Sequence, residues 1–118
     1  MPDEAAGPTL RHGHIELDVA ARQLSSGDTL HHLTPKECRL LEIFLGHVGQ
    51  VLTRQYLMKE VWLTDYIADT RTLEVHVHWL RQKIEAQGRP RLIHTIRSVG
   101  YVLRAADAKP ASPVSSPS

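Results

Sequence analysis

The sequence predicts an α+β fold in which short antiparallel strands lead into three helices and a closing β-hairpin. Three stretches carry this reading. Thr34-Pro35-Lys36-Glu37 is a helix start of the capping-box kind, with Pro at the first helical position. Asp69 to Gln87, DTRTLEVHVHWLRQKIEAQ, reads as one long helix, because Leu73, Val77, Leu80 and Ile84 recur at a spacing that places them on one narrow stripe. Leu92 to Ile96 and Tyr101 to Arg104 are β-rich, and Arg97-Ser98-Val99-Gly100 between them forms a hairpin tip with Gly available for a positive φ.

The remaining elements follow in chain order. Residues 1–10 hold two prolines, a glycine and no periodicity, and read as a flexible leader or a linker remnant. The domain is expected over residues 11–105. The segment 106–118 ends Pro/Ser-rich and reads as a disordered tail. His14 to Leu17 alternates polar and apolar, Asp18 to Ala21 suits a turn, Arg22 to Ser25 is a second strand, and Ser26-Gly27-Asp28 turns into a return strand, Thr29 to Leu33. Such a meander is marginal alone and must pack on something. The helix that starts at Thr34 should run to about His47 and bury Leu41, Phe44, Leu45 and Val48, with Leu33 and Cys38 as its hydrophobic staple. Thr53 caps a short second helix through Val61. Trp62 to Ala68, WLTDYIA, is then an aromatic-bearing loop, suited either to closing the core or to meeting a partner. Asp69 or Thr70 caps the long helix, and Gly88-Arg89-Pro90 ends it.

Composition narrows the class. The 118 residues suit one domain, with apolar and charged fractions of 42% and 23% that are ordinary for a packed globular chain. No apolar run approaches a membrane span, no targeting segment is visible, and the single cysteine, Cys38, has no disulfide partner. A cytoplasmic protein is expected. The net charge of +1 hides a division. Residues 1–70 carry six Lys/Arg against ten Asp/Glu, whereas residues 71–104 carry seven against two. A basic second half is the polarity of a protein that meets a polyanion, although a solvated charged face has the same numbers.

Two short helices, a longer one and a hairpin make a winged helix–turn–helix, whose third helix fits the major groove of DNA. The face of that helix opposite the stripe holds Arg71, Val75, His78, Trp79 and Gln82. Val75 suits a thymine methyl, and Arg71 and Gln82 can reach base edges. His76, Arg81 and Lys83 flank this face, where phosphates would lie. Arg97 at the protruding tip suits a narrow, electronegative minor groove.

Leu33-Thr34-Pro35-Lys36-Glu37, the run Arg71 to Val77, Leu80-Arg81, and Ile93 to Arg97 with Gly100-Tyr101 resemble the output domain of OmpR/PhoB-type response regulators. The resemblance covers about His14 to Arg104. It implies an N-terminal four-stranded antiparallel sheet, a three-helix core and a C-terminal hairpin wing. It implies a protein that binds tandem DNA half-sites as a phosphorylation-promoted dimer; without a receiver domain, the chain is expected to be monomeric in the absence of DNA. By the same resemblance, Arg71, Thr72, Val75 and Trp79 face bases, His76, His78, Arg81 and Thr95 face the DNA backbone, and Arg97 enters the minor groove. The loop from Trp62 to Thr70, with Trp62, Asp65 and Tyr66, is where such regulators touch RNA polymerase. Three positions depart from the family pattern: Trp79 stands where Arg, Lys or Asn is commoner, His78 where Arg or Ser is, and Ser98 where Gly follows the wing arginine. The family's receiver domain is missing from this chain.

Other classes fit less well. A stand-alone winged helix acting through protein contacts is the main alternative. An enzyme is not expected: the chain holds no glycine-rich phosphate loop and no nucleophile with a plausible base. His76 and His78 diverge on a helix and His31 and His32 point to opposite faces of a strand, so neither a metal nor a cofactor is expected.

Overall fold

The computed structural model describes residues 9–62 and 71–105. Strands β1 (Thr9–His12), β2 (Ile15–Asp18), β3 (Gln23–Ser26) and β4 (Thr29–His32) form an antiparallel meander in the order β1-β2-β3-β4. Helix α1 (Pro35–Gly46), a two-residue strand β5 (Leu52–Thr53), α2 (Arg54–Trp62) and α3 (Arg71–Ile84) follow. A 3-10 turn (Ala86–Gly88) then leads to β6 (Ile93–Ile96) and β7 (Gly100–Leu103), which pair in a second sheet of order β5-β7-β6. No helix among the described residues is long and apolar enough to cross a membrane.

The first sheet begins earlier than expected, at Thr9, so the segment read as a leader through residue 10 is too long by two residues. Register explains it: Leu10 pairs with Leu17, and Leu17 with Leu24, giving one apolar row across three strands. Leu17 and Leu24 are fully buried, and Leu10 packs on the core. The Asp18 turn forms as read, with the Ala21 N–H donating to Asp18 Oδ1 at 3.1 Å.

At α1 both capping-box bonds are present. The Glu37 N–H donates to Thr34 Oγ1 at 3.2 Å, and the Thr34 N–H to Glu37 Oε1 at 2.9 Å. Leu33 and Cys38 are buried beside them. Burial raises the Cys38 thiol pKa, as do the nearby carboxylates of Glu42 and Asp18. The helix stops at Gly46, and Val48, read as a core residue, is exposed. The His47 N–H turns back to the Phe44 carbonyl at 3.1 Å, which takes position 48 off the buried stripe.

Strand β5 was not legible in the sequence. It pairs Leu52 with Tyr101 and Thr53 with Gly100, joining the helical core to the hairpin. Thr53 then caps α2, its Oγ1 accepting from the Tyr56 N–H at 3.1 Å. The proposed caps of the long helix, Asp69 and Thr70, lie outside the described residues. At its other end α3 stops at Ile84 rather than Gln87, whose φ of 62° is left-handed. The final carbonyl, that of Ile84, accepts from Ser26 Oγ at 2.7 Å and from His14 Nε2 at 2.8 Å. The first sheet therefore satisfies the end of α3, which a helix terminus requires when it is buried.

Leu73, Val77, Leu80 and Ile84 are buried, as their spacing predicts, against a core that includes Leu40, Leu41, Phe44, Leu57, Ile93 and Leu103. One ion pair links α1 to α3. Lys83 Nζ donates to Glu37 Oε2 at 2.7 Å, and the Glu37 side chain is 1% exposed.

Candidate nucleic-acid interface

With its buried stripe against the core, α3 turns the opposite face outward. Arg71, Thr72, Val75, His78, Trp79 and Gln82 are all exposed along it. Val75 and Trp79 each keep 41% of their surface accessible, a large apolar exposure for neighbours one helical turn apart. Together with Arg71, Thr72 and His76 they line an open concavity of about 480 Å³. The residues expected at base edges thus share one surface.

His76 is drawn into a ring cluster on one flank of that face. Its Nδ1 donates to the Thr72 carbonyl at 2.8 Å. The ring meets Trp62 edge-on, with centroids 5.1 Å apart, and leans on Trp79 at 5.0 Å. Trp62 closes α2 and is partly buried, packed against the core. Beside it, Lys36 Nζ donates to the Val61 carbonyl at 3.1 Å and stands 5.9 Å from the indole centroid. Asp65 and Tyr66, named with Trp62 as a polymerase-contact loop, lie outside the described residues.

The other flank is fastened to the wing. Arg81 Nε donates to the Ile93 carbonyl at 2.9 Å, and its Nη2 to Thr95 Oγ1 at 2.6 Å. Its guanidinium also stands 5.8 Å from the Tyr101 ring centroid, and that of Arg54 stands 5.3 Å from it. Burial, followed by the neighbouring Arg91, lowers the Arg81 pKa from its usual value, and burial raises that of the Tyr101 phenol. Thr95 is exposed and Arg97 is exposed at the tip. The tip turns through Ser98, whose φ is 65°, and not through Gly100 as read from the sequence.

Lys83, expected to flank the outward face, is paired with a carboxylate of α1. Its ammonium points toward α1 and neutralises Glu37, because a carboxylate this buried needs a cation and the capping bond satisfies only one of its oxygens. Arg54, Tyr101 and Lys36 were missed as contributors to this region. Their meeting depends on the β5–β7 pairing and on α1 crossing the end of α2, neither of which leaves a periodic signal.

A family model described as "Transcriptional regulatory protein, C terminal" matches residues 28–103. The response regulator MprA of Mycolicibacterium vanbaalenii is 44% identical over 105 residues, covering 87% of this chain and 46% of that protein. MprA of Mycobacterium tuberculosis is 43% identical over 102 residues, so the chain spans about half the length of the curated relatives it matches. Among solved structures, the DNA binding domain of CpxR from E. coli has a TM-score of 0.71 at 28% identity, covering 85% of this chain and 99% of that one. The Klebsiella pneumoniae RstA DNA-binding domain, solved in complex with the RstA box, has a TM-score of 0.71 at 26% identity, covering 83% and 98%. With a buried stripe, an outward face and a wing tied to its flank, and with a family model matched across most of its length, the chain belongs to the C-terminal domains of transcriptional regulatory proteins, of the OmpR/PhoB response-regulator type.

Proposed function

We propose that this chain is the sequence-specific, double-stranded-DNA-binding output domain of a two-component transcriptional regulator. Helix α3 enters the major groove and Arg97 of the wing enters the minor groove. The observation that carries the reading is the outward face of α3. It holds Arg71, Thr72, Gln82 and two exposed apolar side chains, and Arg81 joins it to the strand that leads to Arg97. The likeness to RstA, solved with its box, supports the same reading.

Arg71, Thr72, Val75, Trp79 and Gln82 face bases. His78, Thr95 and Arg81 lie toward the backbone, with Arg81 also holding the wing in place. The proposal extends to a phosphoacceptor receiver domain as a partner of this chain, tandem half-sites, RNA polymerase as a further partner and work in the cytoplasm.

Selection of bound duplexes from random DNA tests this. The expected result is a short repeated motif whose affinity falls steeply with salt, by roughly 0.9 log unit per log unit of salt for each phosphate neutralised. Arg97→Ala should weaken binding and flatten that slope. A selection that enriches no motif, or binding indifferent to salt, would sink the proposal and favour a module working through protein contacts.

A further inference from the structure

A chain of side chains crosses from α1 through α2 to the outward face of α3. Lys36 is bonded to the end of α2 and stands over Trp62. Trp62 meets His76 edge-on, with their planes 83° apart, and His76 leans on Trp79 at 57°. The Thr72 carbonyl can only accept, so His76 Nδ1 carries the proton, and that bond fixes the direction of the ring. An indole on an open helix face ordinarily has several rotamers available. Here a ring already held by a hydrogen bond and by a second tryptophan backs Trp79.

The consequence lies in the concavity that Trp79 and His76 line together. Val75 and the indole are the large apolar side chains lining the 480 Å³ concavity, which Arg71, Thr72 and the His76 ring also line. An exposed apolar notch among polar residues fits an apolar partner. On the base edges of the major groove, the apolar group on offer is a pyrimidine 5-methyl, carried by thymine.

We infer that Val75 and Trp79 form a specificity notch for a pyrimidine 5-methyl group, and that His76 and Trp62 are positioning residues that hold the indole to its shape. This rests on the DNA-binding reading above and adds to it a ligand chemistry and two residues. His76 acts through Trp79 rather than through a phosphate.

The test uses the full chain and a duplex recovered by selection, with thymines replaced singly by uracil, which lacks the methyl. At one or two positions the replacement should weaken binding about fourfold, the worth of one buried methyl group. Replacing the same thymine by cytosine and then by 5-methylcytosine should restore part of the loss. Trp79→Ala should bring the thymine-to-uracil ratio to about one. His76→Ala and Trp62→Leu should lower it toward one whatever the absolute affinity, and His76→Phe, which keeps a ring, should retain it. Thermal melting identifies any variant that has lost its fold. Duplex binding with no methyl dependence at any thymine overturns the notch. A ratio that survives His76→Ala in a folded protein overturns the positioning role. Failure to bind any duplex at low salt overturns the DNA-binding reading instead, and the notch with it.

Discussion

A methyl group added at Gly100 would run into the Leu52 carbonyl, and the backbone at Thr53 lies close behind. The φ of Gly100 is not in the left-handed region, so glycine is required here for the close approach of β5 to β7, and not for the turn. Gly100→Ala should cost about 3 kcal/mol in urea unfolding, at the upper end of overpacking effects, because backbone rather than a flexible side chain must move. An unchanged midpoint would mean that β5 separates easily. His94, on β6, is a second residue set by its neighbours. Its Nε2 is buried without a partner. Burial, followed by the charge of Arg104, with Arg81 and Arg91 adding to it, lowers its pKa from 6.5, and a backbone hydrogen bond with Arg104 opposes them. A folded-state pKa below the unfolded one means that the unfolded chain binds the proton more readily. The contribution of neutral His94 is therefore complete above about pH 6.5 and is lost as pH falls from there toward the lowered value. The melting temperature should drop between pH 7 and pH 5, and His94→Gln should drop less; parallel pH profiles would refute the assignment.

Between elements, polar bonds at helix ends contribute to the joining. Glu37 caps α1 through one oxygen and holds Lys83 of α3 through the other, so a single carboxylate sets both a helix start and a helix–helix contact. Lys83→Met leaves that carboxylate buried with only its capping bond and should cost about 3 kcal/mol, the lower end for a broken buried pair because Lys83 is itself partly exposed. Adding Glu37→Gln, which keeps an acceptor for the Thr34 N–H, should recover most of the loss. The same Lys83→Met protein should show an unchanged salt slope in DNA binding; a slope reduced by about one phosphate would return Lys83 to the backbone-contact group. The end of α3 is held in a comparable way, by Ser26 and His14 from the first sheet. Arg81 fixes the wing to α3 through a carbonyl and a hydroxyl on β6. These two bonds tie the wing to the helix face, as the proposed reading of two grooves at once would need.

For the whole molecule, the first sheet precedes all three helices in sequence, the second joins the hairpin after them to β5 from between α1 and α2, and the basic charge lies in the half of the chain that forms α3 and the wing. The acidic half forms the first sheet, α1 and α2. The chain without DNA should sediment as a monomer, since among the described residues the exposed large apolar side chains, Leu30, Val48, Val51, Val75, Trp79 and Val99, come from several elements rather than from one apolar face. A dimer that persists on dilution would show that a second copy covers one of the molecule's faces. On a two-half-site duplex, a second copy should bind at a spacing set by the site; one copy per duplex at saturation would contradict the tandem reading.

The sequence by itself determined the three helices, the capping box at Thr34, the buried stripe of α3 and the hairpin, because these rest on local chemistry: side-chain period, caps and turn residues within a few positions of one another. It also determined which residues of α3 face outward, since a helix with one buried stripe has only one other face. Tertiary structure decided what depends on contacts between distant segments. Strand β5 is two residues long and exists only through its pairing with β7. Helix α3 ends at Ile84 because the first sheet meets its last carbonyl. Lys83 turns away from the outward face because Glu37, 46 positions earlier, holds its ammonium. His76 becomes a support for Trp79 because α2 delivers Trp62 to its edge. Each of these is a choice among partners of similar chemistry, and the packing of the core selects which partner is within reach.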